Sequence, residues 1–224
     1  PDHCYMPAIL AGLDWTAANG WNRQVVNMSF GTYSPPTTLA TAVAASHSAG
    51  NLLVASAGND LDNSDPPVAW PARYTQVMAV SGTWDDDTFA DWVTCPGSGG
   101  TGGSVFGSDV EISAPFGAFS MWTNGTYEGH CGTSISAPHV SGAAALLWTR
   151  NPSWTNAQVR NQLRSTARDL GTPGPDPLFG DGRLDAGAAV GVPIPSVSIT
   201  GPLEITTSDN YMWTANPSGG VGGY

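Results

Sequence analysis

The sequence has 224 residues, enough for one full α/β core or for most of one plus the start of a further unit, and its 41% hydrophobic content is that of a folded chain. Eighteen acidic residues face seven basic ones, all arginine, for a formal net charge of -11. This balance argues against nucleic acid or an anionic membrane as a partner. The most apolar stretch, residues 142–148, is far too short to span a bilayer. The chain starts at Pro1, with no charged-then-apolar leader, and reads as a fragment.

In chain order, Ile9, Leu10, Leu13 and Ala17 recur at helical spacing and stop at Asn19-Gly20. A short β-rich run, "VVNMSF" (25–30), ends in Gly31. A second helix is expected over 37–49, followed by a near-continuous apolar strand over 51–57 that ends at Gly58. Further strands are expected over 76–81 and 109–113. Strands apolar on both faces and separated by helices indicate a doubly wound, mostly parallel sheet with helices on both faces. In such sheets ligands sit at the carboxyl ends of the strands, here Phe30-Gly31 and Gly58-Asn59.

The stretch "HVSGAAALLW" (139–148) is small or apolar all round, so its helix should run through the core. Thr155 and Gln158 form a capping-box start for the next helix. Near residue 190 the composition turns to Pro, Gly and Ser, with alternation at Val197 and Ile199 and again at Tyr211 and Trp213. The expected organisation is one α/β domain over 1–192, then a linker and a truncated β-sandwich module of immunoglobulin-like type over 193–224.

Three cysteines, Cys4, Cys95 and Cys131, are too widely spaced for a zinc ribbon or a redox pair. In a secreted protein two of them can form a disulfide, and three unrelated buried thiols are an equal alternative.

Ser134, in "GHCGTSISAPHVSG" (129–142), has Gly132-Thr133 before it and a helix after it whose amide dipoles would face a developing oxyanion. The local sequence fits a nucleophile and a plain helix cap equally well. An esterase-type elbow is excluded, because it needs a glycine where Ser136 stands. Asn59, after the last glycine of "ASAG" (55–58), sits where a side-chain amide could donate to an oxyanion, although a turn asparagine is the plainer reading.

The blocks "VVNMSFGT", "LLVASAGND", "WPARYTQVMAVSGT", "VEISAPFG" and "GTSISAPHVSGAAALL", with "NPSWTNAQVRNQL" beyond, resemble the subtilisin-like serine proteases, the subtilases, in order and spacing. The resemblance covers roughly residues 8–190. It implies a subtilisin-like α/β fold with Ser134 as nucleophile. The Asn59 side chain and the Ser134 backbone N–H would form the oxyanion hole, helped by Thr133. The sedolisins share "GTS" but place Asp at the oxyanion position, where this chain has Asn59.

A subtilase triad runs Asp, His, Ser in chain order. The blocks that carry the Asp and the His are absent from this sequence. His139 lies five residues past Ser134, about 140° around an ideal helix, and points elsewhere. His47 is read as a solvated helix position, His3 as part of a terminus, and His130 as a wall of the cleft on the leaving-group side. The expectation is a parent serine endopeptidase whose Asp and His lie upstream, with this fragment inactive alone.

By the same resemblance, substrate pairs with Ser29, Phe30 and Gly31, while Ser56, Ala57 and Gly58 form the other wall of the specificity pocket and Ala69 its floor. Uncharged walls imply apolar side chains at the cleaved position. No cofactor is expected for the chemistry. A structural calcium would take the carbonyls of Ala72 and Tyr74 with Glu111, and a structural loop without metal is the equal alternative. The expected setting is a secreted monomer acting on protein or peptide, with no nucleic-acid or membrane partner. The competing readings are a non-catalytic, protein-binding subtilase-like domain and a carbohydrate- or surface-binding protein built on the C-terminal module.

Overall fold

A computed structural model describes residues 5–19, 23–34, 36–59, 68–91, 95, 102–122, 125–191, 196–200 and 214–218. Helix α1 (Met6–Ala18) precedes strand β1 (Val25–Met28), helix α2 (Thr37–Ser48) and strand β2 (Leu52–Ser56). Strands β3 (Val77–Thr83) and β4 (Ile112–Pro115) complete a four-stranded sheet of order β1-β2-β3-β4, parallel throughout.

The period-two geometry of a strand divides β2 and β3 between two cores. Leu52, Val54, Met78 and Val80 pack with Ile112 and with Ala137, Val140, Ala144 and Leu147 of helix α3 (Thr133–Arg150). The alternate residues Leu53, Ala55, Val77 and Ala79 pack on Leu13, Leu39 and Val43 of α1 and α2. Both faces of the sheet are therefore covered, as the apolar runs require. Each fully buried Leu or Val contributes about 1.5–3 kcal/mol relative to exposure.

Two connections differ from the expectation of helices between strands. Among the described residues, only β1 and β2 are joined through a helix, and those between β2 and β3 and between β3 and β4 form turns and isolated bridges. The strand expected over 109–113 begins instead at Ile112. Val110 N–H closes a turn onto Gly107 O, and pairing with β3 starts at Val80↔Ile112.

An antiparallel hairpin, β5 (Gly117–Met121) with β6 (Tyr127–Cys131), leads straight into α3. It has a local signal, the Asn124-Gly125 dipeptide between two β-rich runs. Helix α4 (Asn156–Ser165) starts with the expected capping box, in which Thr155 and Gln158 satisfy each other's backbone N–H. A short helix α5 (Ala186–Val190) follows, capped by Asp185.

Near the C-terminus, β7 (Ser196–Thr200) and β8 (Thr214–Ser218) pair antiparallel. The second strand lies past the Tyr211/Trp213 alternation, which is outside the described residues, as are the boundary at 192/193, His3, Cys4 and Gly20.

Candidate active site

Ser134 is the second residue of α3, and Gly132 is the residue that enters the helix. Gly132 has φ 135°, a conformation that favours glycine, which lets the chain turn sharply from β6 into α3. Gly132 N–H is held by Phe116 O at 2.8 Å, fixing the turn to the end of β4. No side chain caps this helix. The Ser134 hydroxyl instead points to the carbonyl of Ser29, at 3.3 Å, and Thr133 faces across the site to Asn59. The capping role that the local sequence allowed is not the one these hydroxyls take.

Asn59 follows β2, and its Oδ1 accepts from Thr133 N–H at 2.9 Å and from Thr133 Oγ1 at 2.8 Å. A backbone N–H can only donate, so the atom facing it must be the amide oxygen. The Asn59 NH2 group is thereby turned to the opposite side. Thr133 also lies within hydrogen-bond distance of both backbone groups of Gly58, at 3.2 Å from its N and 3.1 Å from its O. Thr133 is fully buried, so these bonds are shielded from water.

The expected substrate-binding residues converge. Thr32 and Trp70 form an antiparallel bridge, Thr32 N–H to Trp70 O at 2.9 Å and Trp70 N–H to Thr32 O at 2.8 Å. A Cβ on Gly31 would lie 2.8 Å from Ala69 Cβ, so only glycine permits this approach. Ala69 N–H donates to Ala57 O at 2.8 Å, which joins the expected floor to the expected second wall. Ser56, Ala57 and Ala69 are buried, while Ser29, Phe30 and Gly58 are half-buried. None of these residues is charged.

The three described histidines stand away from the Ser134 hydroxyl. His139 Nδ1 sits 2.8 Å from Ile135 O on its own helix. His130 stacks on Trp122, ring centroids 3.8 Å apart, with Nε2 3.7 Å from Glu128. His47 lies in α2, where burial and then the charge of Arg160 lower its pKa.

Cys95 and Cys131 form a disulfide, which settles a pairing the sequence left open. Cys131 immediately precedes Gly132, so the bridge anchors the segment entering the site.

The expected calcium set is arranged otherwise. Both carboxylate oxygens of Glu111 accept from the Arg160 guanidinium, which also donates to Thr75 O at 2.9 Å and Val77 O at 3.0 Å. Arg164 lies 3.7 Å from the same carboxylate, and Tyr74 O already accepts Val77 N–H at 2.8 Å. A cation needs open oxygens. With a guanidinium on Glu111, the donor set in this arrangement does not fit calcium, and among the described residues no other cluster of His, Cys, Asp or Glu could hold a metal.

Sequence reasoning missed the hydroxyl of Ser29, which donates to Ser134 O at 2.8 Å. Pro138 carried the signal, since a proline in a helix leaves the carbonyl four residues earlier without its usual N–H.

Comparison with known proteins extends the picture. The sequence model of the subtilase family matches residues 2–182. Subtilisin BL of Lederbergia lenta is 39% identical over 183 residues, 81% of this chain and 61% of that protein. The minor extracellular protease Epr of Bacillus subtilis (strain 168) is 39% identical over 180 residues, 80% of this chain and 26% of that protein. Among solved structures, Sphericase superposes with a TM-score of 0.65 at 28% identity, covering 80% of this chain and 61% of that one. The S41 psychrophilic protease gives 0.68 at 26% identity, covering 82% and 65%. The chain thus spans less than two thirds of these relatives' lengths. With the matched residues containing the whole sheet, Asn59 and Ser134, the chain belongs to the subtilase family.

Proposed function

We propose that this chain is the nucleophile-bearing part of a serine endopeptidase, which cleaves peptide bonds through an acyl-enzyme on Ser134. The observation that carries the reading is the Ser134 hydroxyl itself. It stands in the first turn of α3 without capping it, next to the residue that orients the Asn59 amide.

In this reading Ser134 Oγ attacks the substrate carbonyl carbon while its proton passes to a histidine base. The carbonyl oxygen takes the negative charge and receives hydrogen bonds from the Asn59 NH2 and the Ser134 N–H. As the intermediate collapses, the C–N bond breaks and the histidine gives the proton to the leaving amine. Water then attacks the acyl-serine by the same route and restores the hydroxyl. The histidine and its orienting aspartate are assigned to a part of the protein outside these 224 residues, because the sequence lacks the blocks that carry them in the subtilases and the described histidines lie elsewhere. The chain alone is then inactive.

Uncharged residues at Gly31, Ala57, Gly58 and Ala69 support apolar selectivity at the cleaved position. The disulfide supports an oxidising, secreted setting, and among the described residues no helix is long and apolar enough to cross a membrane. The β7–β8 pair is read as the opening of an appended β-sandwich module.

The competing reading is a protein-binding domain without catalysis, favoured by the absence of a histidine at Ser134 among the described residues. The full-length protein treated with a fluorophosphonate separates the two. Labelling that Ser134→Ala abolishes, with peptide hydrolysis faster after Leu or Phe than after Arg, is the expected result. A full-length protein that neither labels nor hydrolyses peptides overturns the protease reading.

A further inference from the structure

Pro138 lies inside α3, and its ring nitrogen has no hydrogen to give to the carbonyl of Ser134, four residues earlier. A helix leaves such a carbonyl to water or to another donor. Here the donor is a side chain from β1's carboxyl end: Ser29 Oγ reaches Ser134 O at 2.8 Å.

The Ser29 hydroxyl is itself held. Asn27 Nδ2 donates to Ser29 Oγ at 2.9 Å, so the hydroxyl hydrogen is directed to Ser134. Asn27 is oriented in turn by Ser141 of α3, whose Oγ is 3.1 Å from Asn27 Oδ1 and 3.0 Å from Ala137 O. From Asn27 the donors run one way, to Ser29 and on to the Ser134 carbonyl, while the single hydroxyl hydrogen of Ser141 is shared between Asn27 Oδ1 and Ala137 O. In the reverse sense Ser134 Oγ lies 3.3 Å from Ser29 O, so Ser29 and Ser134 each offer the other a hydroxyl.

We propose that Ser29, held by Asn27 and Ser141, is a positioning residue that sets the Ser134 nucleophile against the strand end at 29–31. The inference rests on the protease reading and deepens it. In that reading Ser29, Phe30 and Gly31 pair with the substrate backbone. The relay therefore fixes the distance between the attacking oxygen and the bound carbonyl. Small errors in that distance cost rate far more than binding.

The test uses the full-length protein and two readouts, the rate of Ser134 labelling by a fluorophosphonate and the separate kcat and KM for a peptide. Ser29→Ala is expected to slow labelling and lower kcat by roughly tenfold to a hundredfold, with KM and Tm nearly unchanged. Ser29→Thr, which keeps the hydroxyl, is expected to recover most of the rate. In a Pro138→Ala background the helix regains an N–H for Ser134 O, and the loss from Ser29→Ala is expected to shrink.

Equal labelling rates for wild type and Ser29→Ala overturn the inference and leave the protease reading standing. A loss that Ser29→Thr does not restore, or that tracks Tm alone, also overturns it. A wild-type protein that does not label takes down both.

Discussion

Thr133 and Asn59, 74 positions apart, meet through two hydrogen bonds that end on the same atom, Asn59 Oδ1. Both donors belong to the residue preceding Ser134, the proposed nucleophile. The Asn59 amide is thus oriented by the element that carries Ser134.

The pair should behave as a unit in kinetics. Asn59→Ala is expected to lower kcat about a hundredfold to a thousandfold with little change in Tm, a magnitude borrowed from the loss of one such oxyanion donor in a subtilisin. Thr133→Val keeps the shape and removes one of the two donors, and should cost roughly fivefold, since a lost hydrogen bond is worth about 1 kcal/mol. The double variant should be no slower than Asn59→Ala alone. Fully additive losses, measured on the full-length protein, would show that Thr133 does not act through Asn59.

Reduction should loosen the site from its approach side. The Cys95–Cys131 bridge closes a loop with a sequence separation of 36, for which chain entropy gives about 3–4 kcal/mol. Cys95→Ser with Cys131→Ser is expected to lower Tm by several degrees and to slow Ser134 labelling, because Cys131 adjoins Gly132. Thermal denaturation with and without a reductant checks the first part.

Arg160→Gln should destabilise the fold by about 3 kcal/mol, as it leaves the half-buried Glu111 carboxylate without its main partner. The variant also opens the Glu111 oxygens. Millimolar calcium is then expected to raise the Tm of the variant and to leave the wild type unmoved at this site. A wild-type shift that Arg160→Gln abolishes would place a cation beside the intact arginine and contradict the arrangement described.

The pH dependence at His47 has a definite sign. Burial, aided by Arg160, lowers its pKa, so the fold favours the neutral ring. Its contribution is present above the ordinary histidine value of about 6.5 and is lost as pH falls below that value toward the lower folded pKa. His47→Gln should flatten the decline of stability in that window, as read by denaturant midpoints between roughly pH 7 and 5. An unchanged slope would remove His47 from the account.

Much of the sheet was legible because its signals are local. The apolar run at 51–57 became β2 with residues buried on both faces, and Thr155 with Gln158 capped α4 as their spacing required. The start of β4 was displaced because a turn at Gly107–Val110 uses backbone groups that a propensity argument assigns to a strand. The β5–β6 hairpin had a usable Asn-Gly signal, but its strands alternate weakly and bury little, so periodicity does not mark them.

The site divides in the same way. Ser134, Asn59 and the small residues of the proposed specificity walls stand in contiguous motifs, so the sequence by itself determined which groups are candidates for the chemistry. Tertiary structure alone decided their partners. Thr133 orients Asn59, Ser29 replaces the donor that Pro138 lacks, Cys95 pairs with Cys131, and Arg160 occupies Glu111. Each of these contacts joins residues far apart along the chain. A hydrogen bond or ion pair depends on distances of a few ångströms, which no spacing along the chain can specify.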